Sequence, residues 1–197
     1  MMVLKRYYHK LDQIPSSVKS FLVKGLLLFA AWKLIYLLFL LPSRILDKPL
    51  TSFTAISAAK TLNFFSHSSS YTTQDEIDEY DADGYHETQY LTSIFHNNEK
   101  ALSVADVCNA LELLVLYAGF IICFPAGLKR KINFTIAGII LICLVNILRC
   151  AGLAWIFIYY PDYGDFSHHY VFTFIVYVCI FMLWFWFSKK PSVNVKA

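Results

Sequence analysis

Apolar residues in this chain are gathered into four long blocks, at 21–41, 104–124, 132–155 and 169–187. They are not spread at the period of a half-buried helix or strand. Each block reaches the length of about 20 helical residues that crosses a hydrocarbon core. The pattern predicts an all-α, polytopic membrane protein with about four transmembrane helices and a large external loop. Residues 1–41 then form an N-terminal segment and first anchor, 42–103 the loop, 104–188 a three-helix membrane region, and 189–197 a basic tail. Inside the loop, Ala55, Ala58, Ala59, Leu62 and Phe65 recur at helical spacing over a stretch too short to span, which predicts an interfacial helix. Residues 66–84 are rich in Ser, Thr, Asp and Glu. Their acids Asp75, Glu76, Asp78, Glu79, Asp81 and Asp83 miss the ligand spacing of an EF-hand, so a solvated acidic loop is expected.

Charge sets the orientation, because Lys and Arg near membrane spans stay on the cytoplasmic side. Lys5, Arg6, Lys10 and Lys19 precede the first block, Lys129, Arg130 and Lys131 separate the second from the third, and Lys189, Lys190 and Lys196 follow the fourth. Residues 42–103 carry nine acids against four basic residues, and residues 161–168 carry Asp162 and Asp165 with no Lys or Arg, so both belong outside. The expected location is the cell (inner) membrane, crossed several times. The first block exceeds the roughly 7–15 apolar residues of a signal-peptide core and reads as an uncleaved anchor. Within it, Lys24 can snorkel, whereas Lys33 needs a protein-facing side or a shifted span.

Composition narrows the class further. At 57% hydrophobic and 16% charged, the chain falls well below the roughly 25% charge of a soluble domain. The net charge of +3 forms no basic face with interleaved aromatics, so nucleic acid is not an expected partner. All five cysteines lie inside apolar blocks, with no C-x-x-C pair and no zinc-type spacing. No metal or other cofactor is expected.

What the blocks should not contain is more informative. An ionisable side chain in a span costs at least about 2.5–3.5 kcal/mol, which makes it a pointer to chemistry or to an ion pair. The second block opens with Asp106, Cys108, Asn109 and Glu112, the third holds Asn146 and Arg149, and the fourth begins at His168 and His169. At about 1.5 Å per residue, Cys108 lies about 6 Å below the outer end of its block and Arg149 about 25 Å from the inner end of its own. A thiol, a guanidinium and an imidazole therefore converge on one membrane level. His169, Thr173 and Tyr177 make a polar stripe, while His168 is followed by Phe172 and Ile175, so His169 is expected to face the bundle with His168 beside it. Asn146 and Glu112 are supporting residues. A structural ion pair between Arg149 and Glu112, with the histidines capping a helix, is the alternative.

These residues carry a resemblance. Ala105-Asp106-Val107-Cys108-Asn109-Ala110-Leu111, then Asn146-Ile147-Leu148-Arg149, then His169-Tyr170-Val171-Phe172-Thr173 resemble the ordered Cys, N-x-x-R and His motifs of the exosortase/archaeosortase family of integral-membrane cysteine transpeptidases, in its compact form. The likeness covers residues 104–177. It departs at Ala110, where family members commonly have Gly, and at Tyr170, where they commonly have an acid. The resemblance implies Cys108 as nucleophile, Arg149 as oxyanion stabiliser and His169 as acid/base. It also implies membrane-anchored client proteins with a carboxy-terminal sorting signal, cut at the outer face of the membrane and passed to an acceptor. The chemistry suits the residues, since a thiol of pKa about 8.5 is only a few per cent thiolate at neutral pH and needs a base or a nearby cation. The reading from a different class is a non-enzymatic four-span assembly or adaptor subunit.

Overall fold

The computed structural model describes residues 15–67, 70–82 and 85–189. The expected cytoplasmic cations Lys5, Arg6, Lys10, Lys190 and Lys196, and the acid Asp83, lie outside the described residues. Helix α1 (Ser16–Ile35) continues through a π turn (Tyr36–Leu40) to Ser43. It is followed by α2 (Asp47–Ser66), the strands β1 (Tyr71–Ala82), β2 (Tyr85–His96) and β3 (Glu99–Ala105), and a 3-10 turn (Asp106–Cys108). Then come α3 (Leu111–Cys123), α4 (Leu128–Tyr159), a π turn (Ser167–Val171) and α5 (Phe172–Ser188).

The chain is mostly helical, but it is not all-α. Where a solvated loop was expected, β1, β2 and β3 form an antiparallel sheet in that order. The hairpin between β2 and β3 turns on Asn97 and Asn98, both at positive φ (50° and 71°), which is the backbone that a two-residue turn demands and that Asn tolerates. Two acids of β1, Asp75 and Glu76, have partners on the neighbouring strands. Thr92 Oγ1 donates to Asp75 at 2.8 Å, and Ser93 Oγ and Lys100 Nζ reach Glu76 at 2.5 and 2.6 Å. Hydrogen bonds from Lys100 and Ser93 hold the Glu76 carboxyl below the usual carboxylate range. Cross-strand partners of this kind stabilise a sheet that composition alone reads as a polar loop.

Among the described residues, three helical stretches are long and apolar enough to cross a membrane: Val18–Ser43, Leu128–Tyr159 and Pro161–Ser188. The expected span at 104–124 differs. Its first residues belong to β3 and the 3-10 turn, and the remaining α3 has 13 residues, about 20 Å of helix against a hydrocarbon core of about 30 Å.

Two cores position the site. In the first, the small-residue face of α2 (Ala55, Ala58, Ala59, Leu62) packs against Ile147, Cys150, Ala151 and Ala154 of α4 and against Ile94 and Val104 of the sheet. The residues read as a membrane-facing stripe are therefore buried, except Phe65, which is exposed alongside Phe53, Ile56 and Phe64. The second core joins α3, α4 and α5 through Tyr117, Ile121, Ile142, Val176, Ile180 and Phe187. Tyr117 donates to the Phe134 carbonyl at 2.7 Å across the place of Gly138, where any Cβ would strike its ring. Helix α1 is the least embedded. It leans on α3 through Phe21 against Phe120 and Phe124, and through Leu28 against Gly119.

Candidate active site

Cys108 ends the 3-10 turn that leads from β3 toward α3, and polar contacts hold that turn from both sides. Arg44 forms a two-pronged ion pair with Asp106, both contacts 2.9 Å, with its guanidinium 4.0 Å from the Tyr90 ring centroid. Thr51 Oγ1 donates to Asp106 at 2.7 Å. On the other flank, Asn109 Nδ2 donates to Asp47 Oδ1 at 2.8 Å while its Oδ1 accepts from the Leu111 N–H at 2.8 Å, occupying one of the open donors at the start of α3. Asp47, almost wholly buried, also accepts from the Tyr36 hydroxyl at 3.1 Å. From α4, Asn146 Nδ2 donates to the Cys108 carbonyl at 2.9 Å. The turn closes with Ala110 at φ 68°, the left-handed backbone that glycine adopts without cost.

One helical turn along α4 from Asn146, Arg149 Nη2 lies 3.2 Å from His168 Nε2 and 4.0 Å from Cys108 Sγ. A guanidinium has only donors, so the imidazole nitrogen facing it is an acceptor, and His168 is neutral in this arrangement with its proton on Nδ1. Arg149 Nε is buried and has no hydrogen-bond partner among the described residues. A cavity of about 20 Å³, room for about one water, is bounded by Cys108, Arg149, His168 and the end of β3. A cavity of about 270 Å³ lies on the other side of Arg149, with Asp47, Asp106 and Glu112 in its wall.

Cys108 and Arg149 are thus brought together as expected, with Asn146, which shares a helix face with Arg149, on the Cys108 carbonyl. The histidines are oriented the other way. His169 is exposed, and half-buried His168 meets Arg149, the two rings packing edge to face at 4.8 Å. The cause is the π turn at Ser167–Val171, whose extra residue shifts the helical phase. Thr173 Oγ1 consequently reaches the His168 carbonyl, five residues back, at 3.0 Å, instead of sharing a face with His169.

Glu112 is likewise not the partner of Arg149. It forms an ion pair with Lys33 of α1, which gives that intramembrane lysine the protein-facing side it required. Tyr36, Arg44, Asp47 and Thr51 went unrecognised in the sequence. They lie far from Cys108 along the chain, and no spacing links them to it.

The family model for transmembrane exosortases (Exosortase_EpsH) matches residues 18–186, from the start of α1 to near the end of α5. No curated protein and no solved structure gives a match.

Proposed function

Because the chain belongs to the transmembrane exosortase family, we propose that it is a membrane-embedded cysteine transpeptidase with Cys108 as nucleophile, Arg149 as oxyanion donor and His168 as acid/base. Its substrates are exported, membrane-anchored proteins bearing a carboxy-terminal sorting signal. It cuts them at the outer face of the cell membrane and transfers the new acyl end to an acceptor. The observation that carries this reading is the placement of one guanidinium within 3.2 Å of an imidazole and 4.0 Å of a thiol, supplied by three elements far apart in sequence.

The Cys108 thiol passes its proton to His168, and the sulfur attacks the scissile carbonyl to form a C–S bond. The carbonyl π electrons move to oxygen, and the oxyanion is met by Arg149, whose buried Nε–H is a spare donor. Arg149 turns from His168 Nε2 toward the substrate carbonyl as the substrate binds, before the thiol proton moves, so that nitrogen is free to take it. Collapse breaks the C–N bond, His168 protonates the leaving amine, and a thioester remains on Cys108. An acceptor amine or hydroxyl then attacks the thioester, gives its proton to His168, and displaces the thiol. The ties on Asp106, Asn109 and the Cys108 carbonyl keep the nucleophile in place throughout. The 129–131 loop and both chain ends are cytoplasmic in this reading, and the sheet is external.

Mass spectrometry of the carboxy-terminal ends of surface proteins tests it, comparing cells that carry the native chain with cells that carry Cys108→Ala at equal membrane abundance. Proteins that end short with the native chain should keep their full carboxy-terminal segments with the variant. Identical ends in the two strains would remove the enzymatic reading.

A further inference from the structure

Strand β3 is an edge of the sheet, whose order is β1, β2, β3. Past the bulge opposite Ile94 and Phe95, residues 102–105 pair with β2 in unbroken register, from Leu102 facing Ile94 to Ala105 facing Leu91. The side chains of this run are already committed. Leu102 and Val104 pack on the core built by α2, α4 and the sheet, and Ser103 Oγ lies 2.9 Å from Ser93 Oγ on the neighbouring strand. The backbone is not. In an antiparallel pair, alternate residues of an edge strand turn their N–H and C=O away from the neighbour. Among the described residues, β3 makes no main-chain hydrogen bond except to β2. The groups on its outer edge are left to water or to another strand.

Two observations favour a strand. Natural sheets protect their edges with charge or proline. The opposite edge, β1, carries Asp75, Glu76, Asp78, Glu79 and Asp81, whereas residues 102–105 read Leu-Ser-Val-Ala and have neither. The second observation is position. β3 runs directly into the turn that ends at Cys108, and Leu102, Ser103 and Val104 bound the same small cavity as Cys108, Arg149 and His168. A chain laid along this edge is led to the thiol and to the guanidinium beside it.

Direction identifies the occupant. In the proposed orientation, β3 descends from its outer hairpin to the level of Cys108. A client with its folded part outside and its helix in the membrane descends the same way, so it pairs with β3 in parallel, through evenly spaced, slanted hydrogen bonds. The stretch beside β3 is then the one before the cut, which stays on Cys108 as the acyl group when the helix departs.

We infer that the outer edge of β3 docks the client's extended segment on the amino-terminal side of the cut, which adds to the sheet as a further strand. This rests on the transpeptidase reading and adds how the acyl half is held, through its main chain, until the acceptor arrives.

Disulfide scanning tests the pairing on full-length chains. In the Cys108→Ala protein, Ser103→Cys and Leu102→Cys are each combined with single cysteines at successive positions before the cut of a client whose ends depend on Cys108, and crosslinks are scored only where they require the introduced β3 cysteine. Successive strand residues point to opposite faces, so each β3 cysteine should crosslink to every second client position, and the two sets should interleave. Asp78→Cys, on the opposite edge strand, should crosslink to none. Ends that do not depend on Cys108 would overturn the transpeptidase reading and the pairing with it. Where ends do depend on Cys108, crosslinks that fail to alternate, that fall only after the cut, that form equally from Asp78→Cys, or that do not form at all would overturn the pairing alone. Should Leu102→Cys lower membrane abundance, the period of the Ser103→Cys set decides by itself.

Discussion

A guanidinium placed between a thiol and an imidazole can turn to an oxyanion without travelling far, but only if its planar donor fork is intact. Arg149→Lys should therefore keep the charge and the membrane abundance yet lower client processing by about 10²–10³, the usual cost of an oxyanion donor. The two histidines separate cleanly: His168→Ala should abolish most processing, and His169→Ala should leave it within a few fold, as read by the proportion of processed client on a gel. A reversed result would return the acid/base role to His169. The helix assumed to carry Cys108 is a strand end and a 3-10 turn. Cys108, Asn146 and Arg149 were nevertheless legible in the sequence because polar groups are costly in apolar blocks, and Asn146 and Arg149 are three apart on one helix face. The choice of histidine was not, since it depended on phase, and one π turn defeats an extrapolation at 3.6 residues per turn. Ala110 shows a different kind of legibility. It stands where the resembling family commonly has Gly, and the structure gives the reason, a φ of 68° at which a Cβ is strained. Ala110→Gly should raise the Tm of the detergent-solubilised protein, by up to about 1 kcal/mol of stability, with processing retained.

The elements that depart from the sequence reading do so for physical reasons of their own. The acidic run of β1 looks like a solvated loop until Thr92, Ser93 and Lys100 are placed opposite it, and those partners come from strands paired across the sheet. Since the Glu76 carboxyl titrates below its ordinary range in the folded sheet, its contribution is present above the unfolded carboxylate pKa of about 4.3 and is lost as pH falls through the lowered folded value. Hydrogen exchange of the β1 and β2 amides should accordingly rise in Glu76→Gln at neutral pH, and the difference from the native chain should vanish once the native Glu76 is itself protonated. A difference that persists there would mean packing, not charge, is what Glu76 contributes. Helix α1 offers the second element-scale expectation. Glu112→Gln leaves Lys33 without its partner and should reduce membrane abundance, while Lys33→Met combined with Glu112→Leu should restore it, because removing both partners strands no charge in lipid. Arg149 has no part in that pair, so restored abundance comes with the guanidinium intact.

At the scale of the whole molecule, a mostly helical membrane protein was legible, because long apolar blocks are readable one segment at a time. What the sequence could not give was the join between the apolar helices and the sheet, where β3 runs into the Cys108 turn and Arg44, Thr51 and Asp47 hold it, since that join is made by contacts about 60 residues apart. The proposed orientation puts the sheet and the 129–131 loop on opposite sides. A cysteine introduced at Gln74 should label with an impermeant reagent in intact cells and one at Lys129 should not, in a background cleared of competing thiols; equal labelling would break the orientation. The central claim, that client chains pass through a thioester on Cys108, is tested most directly by treating membranes with neutral hydroxylamine and identifying the released chains by mass spectrometry. Native membranes should release clients ending in a hydroxamate at the cleavage site, and Cys108→Ala membranes should release none. Clients cleaved at the same site in the Cys108→Ala membranes would contradict the account.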